Sequence, residues 1–498
     1  MARQHSSQQA AAIAAAIESA QHQIIPAVAG AGKTTTLIEI LKGIYKDKSV
    51  AFCAFNKAIS IEIEQKISTF SPENVKVGTV HSFGFGAVRR SFSRVKVDAN
   101  KVRNIARDEF TGEYENLQPF VISAVKMAKE VGIGAIVEDT VENWMIMCEH
   151  HNLWDSIPDK VTEAQAIDAA QYLLNCNNNL KNIIDFSDMI YFPILFNLKI
   201  WQYDYILLDE AQDTNGPRRA LVKMMLKKGG KLIAVGDPHQ AIYGFTGADN
   251  KSLDIIQKEF DAIVTPLSVT FRCPKNIVAL ANQWVNHIEA HESAPDGVVD
   301  SCELKDIVNL AGPTDAVICR NTKPLVELAY SLLRQSVACR VEGREIGEGL
   351  IKLAMRWKNV KTVGELYNKL QQWSENEIEK NKTKGNDSRC QVIEDQTKTL
   401  EVFIDNCDHS DPISTLVANI RSLFGDTEGV QKVITLSTIH KAKGKEWDRV
   451  FALGMDTYSP SKWATKEWEM EQENNLCYVQ VTRAKQHLTL VSVPAKKS

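Results

Sequence analysis

Residues 23–37, Gln23-Ile-Ile-Pro-Ala-Val-Ala-Gly-Ala-Gly-Lys-Thr-Thr-Thr-Leu37, decide how the rest of the chain is read. An apolar run over 23–28 meets a glycine-rich turn. Residues 35–45 then carry apolar side chains at helical spacing. Strand, loop, helix is the setting a phosphate-binding loop requires. Gly30 and Gly32 let backbone N–H groups turn towards phosphate oxygens, and the helix start adds partial positive charge. Ala29, Gly30, Ala31, Gly32, Lys33, Thr34 and Thr35 are therefore expected to cradle a nucleoside triphosphate, which we take to be ATP. Lys33 is placed to reach the β- and γ-phosphates, and the Thr34 hydroxyl to bind Mg²⁺. Ala27 stands where the usual pattern begins with glycine, and Pro26 is expected at the last, unpaired position of the strand. The plain alternative, a glycine-rich turn beside a surface lysine, is disfavoured by the flanking strand and helix.

The same rhythm continues outward. Strands are predicted over 49–55, 75–80, 205–208 and 232–235, with helices over 57–67 and 219–226. Alternation of this kind implies a parallel, doubly wound α/β sheet. From 87 to 182 it gives way to Lys-, Glu-, Asn- and Ala-rich sequence with helical periodicity. A second α/β set follows, with strands predicted over 263–269, 316–319, 339–341, 433–437, 450–453 and 488–491. Polar helical sequence interrupts it over 350–429, and 376–389 is expected to form an exposed turn or loose linker. The expected domains are 1–86 with 183–262, a helical insertion at 87–182, 263–349 with 430–498, and a short helical insertion at 350–429.

Composition narrows the function. The 498 residues exceed one compact core, and 44% hydrophobic with 24% charged residues is ordinary for a globular protein. A formal charge of -4 excludes a protein that coats nucleic acid by bulk charge, although a local groove stays open. Ten cysteines without a C-x-x-C pair argue against structural zinc, iron–sulfur clusters or a secreted disulfide framework. With no apolar run near the ~18 residues of a membrane span, a cytoplasmic protein is expected, with nucleus or nucleoid as alternatives. His150-His151 are expected to point apart and to hold no metal.

Tyr205-Ile-Leu-Leu-Asp209-Glu210-Ala-Gln-Asp213 is an apolar strand ending in adjacent carboxylates, where α/β sheets hold ligands. Asp209 suits Mg²⁺, and Glu210 suits orienting and deprotonating a water. Alone the pair could be a solvated acidic turn; beside the phosphate loop it points to a nucleoside triphosphatase. Ala234-Val-Gly-Asp-Pro-His-Gln240 again ends a strand in a polar loop, so Gln240 can report the γ-phosphate. Tyr243 and Phe245 follow; for Tyr243, core packing and base stacking on a single strand stay equally open, while Phe245, between glycines, suits stacking.

Together these stretches resemble superfamily 1 DNA helicases of the UvrD/Rep/PcrA type, nearest in wording to the subgroup containing the F-box DNA helicase. The resemblance runs along nearly the whole chain. It implies two RecA-like domains in tandem, with Gln9 (or Gln8, in the less favoured register) recognising adenine. Phe55-Asn56-Lys57-Ala58 and Gly78-Thr-Val-His81-Ser-Phe83 match motifs that lie along the single strand. Asp185-Phe-Ser-Asp188 matches a segment before the acidic strand. Thr270-Phe271-Arg272 matches the motif opening the second domain, whose aromatic meets adenine and whose arginine meets the γ-phosphate. Thr438-Ile-His440-Lys-Ala-Lys-Gly444-Lys445-Glu446-Trp447 implies DNA contacts from Thr438 and His440, and nucleotide contacts from Gly444 and Glu446. Leu476-Cys-Tyr-Val-Gln-Val-Thr482-Arg483 supplies the second γ-phosphate arginine, Arg483.

Three departures stand out: Thr35 replaces an arginine that packs on adenine, Lys445 replaces a leucine, and 471–475 lacks a usual arginine. The resemblance implies an ATP- and Mg²⁺-dependent translocase and 3′–5′ DNA helicase, hydrolysing ATP at the interface of its two RecA-like domains. Single-stranded DNA and single/double-strand junctions are the implied partners, with a protein partner in repair, recombination or replication compatible with them and a monomer expected. The short second insertion favours one rival, an ATP-switched DNA-binding or remodelling module without processive unwinding.

Overall fold

The structure is a computed structural model that describes residues 5–70, 73–158, 161–242, 251–383, 387–424 and 433–493. Its contacts divide it into two units, one ending at Ser268 and one beginning at Val269.

The first unit is built on a six-stranded sheet in the order Val75–Thr79, Val50–Ala54, Tyr203–Leu208, Leu226–Gly236, Gln23–Pro26, Ile263–Val264. Every neighbouring pair is parallel. Helices cover both faces of such sheets, which is why Val50–Ala54 is buried throughout and 231–236 is an unbroken buried run. The expected strand at 263–269 does not open the second set. Ile263 and Val264 pair with Gln23 and Ile24 at the edge of the first sheet. Leu267 stays there too, donating its N–H to the Pro26 carbonyl at 2.8 Å. The first unit thus keeps 263–268, beyond the boundary expected after 262. Pro26 does end its strand but is not unpaired: it stands opposite Gly236, with Ala27 donating its N–H to that glycine's carbonyl.

Helices Lys101–Glu109, Gln118–Val131, Val141–His150 and Glu163–Asn179 supply the helical stretch. Their core, around Phe120, Trp144 and Ile167, also takes in Tyr191 and Phe192 of helix Asp188–Leu195. Helix Val80–Ser91 runs through the expected 86/87 boundary and lends Val88 to the same core. Two ammonium groups lie at this joint. Lys101 Nζ is 2.8 Å from Asp188, while Lys129 Nζ is 2.5 Å from Asp185 and 2.9 Å from Asp188. The His150 and His151 rings do not point apart: their centroids lie 4.7 Å from each other, edge to face.

The second unit carries another six-stranded parallel sheet, ordered Val298–Glu303, Ala484–Ser492, Trp447–Leu453, Ala316–Cys319, Ile434–Thr438, Cys339–Val341. Its sixth strand is Val298–Glu303, a largely exposed edge strand whose polar sequence hid it. Within 376–389, of which 384–386 lie outside the described residues, the described residues are not a loose linker either. Helix Val363–Thr383 covers 376–383 and helix Asp387–Asp405 resumes beyond it. Leu366 and Leu370 of the first join Leu400 and Phe403 of the second in one core, so packing overrides local polarity. Among the described residues, no helix is long and apolar enough to cross a membrane.

Candidate functional site

Five strands of the first sheet end on the same side, and each delivers side chains there. Gln23–Pro26 leads into the phosphate loop, Val50–Ala54 into Phe55, and Val75–Thr79 into His81. Tyr203–Leu208 leads into Asp209 and Leu226–Gly236 into Asp237. The carboxyl ends of parallel strands are where an open α/β sheet binds ligands.

Gly30 and Gly32 have φ of +75° and +81°, so the loop uses the conformation glycine adopts without strain. A Cβ on Gly32 would also come within 2.8 Å of the Gln9 amide nitrogen. That amide donates to the Ala31 carbonyl at 3.1 Å, tying Gln9 to the loop. Gln8 instead exchanges hydrogen bonds with Ser268. Ala29 and Ala31 are buried, whereas Thr35 is half-buried on the first turn of helix Lys33–Ile44.

Lys33 and Thr34 begin that helix and meet the acidic pair. The Thr34 hydroxyl donates to Asp209 at 2.9 Å, and Lys33 Nζ lies 3.2 Å from Glu210 Oε1 and 3.3 Å from Oε2. Glu210 sits in the left-handed region at φ +51° and donates its own N–H to Asp209. Burial, then the Glu210 charge, pushes the Asp209 carboxyl up to about 6 despite Lys33. Burial works against the Lys33 charge, but Glu210, Asp237 and Asp209 outweigh it and raise the ammonium above its ordinary range. One cation therefore faces three carboxylates. The Thr34 hydroxyl and an Asp209 oxygen, side by side, fit Mg²⁺, a hard ion that takes few protein ligands and completes its shell with water and phosphate oxygens. Among the described residues, no cluster of three or more His, Cys, Asp or Glu could hold a metal.

Gln212 and Asp237, which the sequence reading passed over, join the acidic pair to Gln240. The Gln212 amide donates to Glu210 and accepts from the Asp237 N–H at 3.0 Å. The Gln240 amide then donates to Asp237 at 2.8 Å, and Gln240 is buried. A Cβ on Gly236 would lie 2.4 Å from the Gln212 oxygen, so this approach requires glycine there. The signal was present in Asp-Glu-Ala-Gln212 and Gly-Asp237-Pro-His-Gln, but hydrogen bonding between two loops is invisible to spacing.

Phe55, Asn56 and His81 line a cavity of about 350 Å³ together with Asp209 and Glu210. Phe55 is exposed, and the Asn56 side chain caps helix Lys57–Ile67 by accepting from the Ile59 N–H. Burial, with the nearby Arg218, takes the His81 imidazole down to about 4. Phe83 does not join them. Two residues along a helix is roughly 200° of rotation, so its ring packs on Tyr203 and lines a different hollow with Trp201. Tyr243 and Phe245 lie outside the described residues.

The second unit gathers its own set. Arg272 Nε is 2.6 Å from Glu446, and its Nη1 donates to the Thr482 carbonyl at 3.4 Å. Arg483 is buried and donates to the Val479 and Lys445 carbonyls and the Thr482 hydroxyl. Gly444, at φ +83°, makes the turn before Glu446. Phe271 is exposed and tilts against His291, with centroids 4.8 Å apart. Thr438 ends its strand buried, and burial with Arg320, Lys443 and Lys441 nearby lowers His440 to about 3. Arg320 forms a two-pronged pair with Glu473, in the segment that lacks the usual arginine. Lys445, in place of leucine, pairs with Glu342 at 2.7 Å.

Residues 6–261 match the model of the UvrD/REP helicase N-terminal domain, and residues 340–494 that of the UvrD-like helicase C-terminal domain. The chain is 23% identical to F-box DNA helicase protein 1 of Schizosaccharomyces pombe over 94% of its own length and 55% of the relative's. It is 24% identical to F-box DNA helicase 1 of Gallus gallus over 95% and 48% of the two chains. ATP-dependent DNA helicase Rep of Escherichia coli is 24% identical over 52% of this chain and 40% of Rep. The chain thus spans about half the length of the curated relatives it matches. A phosphate loop facing an Asp-Glu pair at one sheet edge, with both family domains matched in order, makes this chain a member of the UvrD/Rep helicase family.

Proposed function

We propose that the chain is an ATP-dependent translocase on single-stranded DNA that moves 3′ to 5′ and separates strands. The observation that carries this reading is the hydrogen-bonded run from Lys33 and Thr34 through Asp209, Glu210, Gln212 and Asp237 to Gln240. Lys33 exchanges Glu210 for the β- and γ-phosphates, which frees Glu210 to orient and deprotonate the attacking water. Thr34 and Asp209 would hold Mg²⁺, which would supply charge neutralisation on the phosphoryl group in transfer. Gln9 bears on the base, and Gln240 passes the state of the γ-phosphate towards Asp237. In the second unit, Glu446 trades Arg272 for the ribose, with Gly444 at its turn and Phe271 against adenine. Arg272 and Arg483 then balance the γ-phosphate. Phe55, Asn56, His81, Tyr243, Phe245, Thr438 and His440 are assigned to DNA, and polarity rests on the family resemblance alone. The insertions at 87–182 and 350–429 are assigned to DNA engagement, and the protein to work as a monomer in cytoplasm, nucleus or nucleoid.

Steady-state ATP hydrolysis with and without single-stranded DNA tests the reading, with Glu210→Gln as the blank. Strong stimulation, lost in the variant, is the expected result. Tailed duplexes of both polarities then test direction. Stimulation without strand separation would replace the helicase by an ATP-switched DNA-binding module, and unstimulated turnover would remove DNA from the cycle.

A further inference from the structure

The cavity beside Phe55 and His81 holds a cation that makes no ion pair among the described residues. Arg218 stands in the first turn of helix Gly216–Met224 and lines that cavity. Its Nη1 donates to the Asp213 carbonyl at 2.9 Å, while its Nε is buried with no hydrogen-bond partner. No carboxylate pairs with it among the described residues, in contrast to Arg320 on Glu473. A guanidinium offers five donors, and burying one of them unsatisfied is unfavourable. Such a group is expected where an anionic ligand arrives.

The identity of that anion follows from the walls. Lys33 and the phosphate loop are not among the residues that line the cavity. It shares Asp209 and Glu210 with the nucleotide site as a common wall, where Lys33 pairs with Glu210, and the Asp213 carboxylate lines it as well. His81, lowered to about 4, is neutral at pH 7, which leaves Arg218 as the cation among the lining residues. An exposed aromatic, an amide, a neutral imidazole and one free guanidinium suit a nucleotide unit, with a base against the ring and a phosphate on the arginine.

We propose that Arg218 holds a backbone phosphate of the single DNA strand that passes Phe55 and His81, one wall away from Glu210. This rests on the reading of the chain as a DNA-binding ATPase. The shared chemistry is a phosphate group, which a DNA strand or the end of a nucleotide could supply; the test separates the two.

Binding of a fluorescent oligo(dT) is measured by anisotropy without nucleotide across a salt series, for the wild type, Arg218→Gln and Arg218→Lys. A fluorescent ATP analogue is titrated in parallel without DNA, and thermal unfolding is recorded. Arg218→Gln should weaken DNA binding about tenfold and flatten the slope of log K against log salt by about 0.7, the share of one single-strand phosphate. Arg218→Lys should keep the wild-type slope. Wild-type affinity and slope in Arg218→Gln overturn the proposal. So does a loss confined to the ATP analogue, which would assign the arginine to the nucleotide. An equal loss in both variants with a lowered melting temperature also overturns it, leaving Arg218 as a brace for the helix start. A wild type that binds no oligonucleotide brings down the DNA reading itself.

Discussion

Two groups of charged side chains are sunk into the first unit, and they are finished differently. At the joint with the helical stretch, Lys101 and Lys129 meet Asp185 and Asp188, two charges against two, with the lysines and Asp188 fully inaccessible. The Asn177 carbonyl takes a further Lys101 hydrogen bond, and the Phe192 face lies 4.6 Å from its ammonium. At the sheet edge, Lys33 alone faces Asp209, Glu210 and Asp237, and its pair with Glu210 remains 11% and 19% exposed. A closed, balanced group ties elements together. An open, unbalanced group keeps its surplus charge for what binds. Both consist of lysines and acids, so only geometry and the charge balance tell brace from machinery.

The sharpest way to break that contrast is to remove the lysine from each. Lys33→Ala should lower ATP turnover by about a thousandfold or more, since it removes a charge aimed at the transferred phosphates. Its unfolding free energy should fall by less than that of Lys129→Ala, because Glu210 stays partly exposed and Asp209, already at about 6, can take a proton. Lys129→Ala should reverse the pattern, with about 3–5 kcal/mol lost in denaturant unfolding from stranded buried carboxylates. Equal stability losses for the two lysines would erase the distinction.

Glu210→Gln probes the open group alone. Hydrolysis should fall about a hundredfold or more while binding of a fluorescent ATP analogue persists; weakened binding instead would mean Glu210 is not the base. The smallest effect concerns protons. Asp209 titrates at about 6 without ligand, so below that pH a proton competes with Mg²⁺ for the carboxylate. The Mg²⁺ concentration for half-maximal turnover should rise as pH falls through 6, approaching about tenfold per pH unit, and stay flat above 7. A flat profile down to pH 5 would place the metal elsewhere.

Much of the open group could be read directly from the sequence. A phosphate loop and an Asp-Glu strand end are local patterns, and the loop between strand and helix fixes its own geometry. The closed group was only half legible. Asp185 and Asp188 stood out as a motif, but their partners Lys101 and Lys129 come from distant helices with no pattern to mark them. The same holds for Gln212, whose role depends on two loops meeting over Gly236. Strand 298–303 was missed because a largely exposed edge strand, Val-Val-Asp-Ser-Cys-Glu, lacks the continuous apolar run of a buried one. Residues 263–264 were assigned to the wrong sheet, since periodicity reports a strand and not its neighbour. Phe83 shows a further limit: a motif gives residues in order, whereas a helix sends the first and third to opposite sides.

The left-handed backbone at Glu210 carries a consequence for anyone improving this protein. A non-glycine residue held there costs about 1–3 kcal/mol, and the loop imposes that cost at the carboxylate assigned to deprotonate water. Glycine at 210 would relax it. A library sorted only for heat resistance should therefore enrich Glu210→Gly, and the survivors should be more robust and catalytically dead. At this position, durability and turnover are selected in opposite directions, so consensus or thermostability engineering must exclude it.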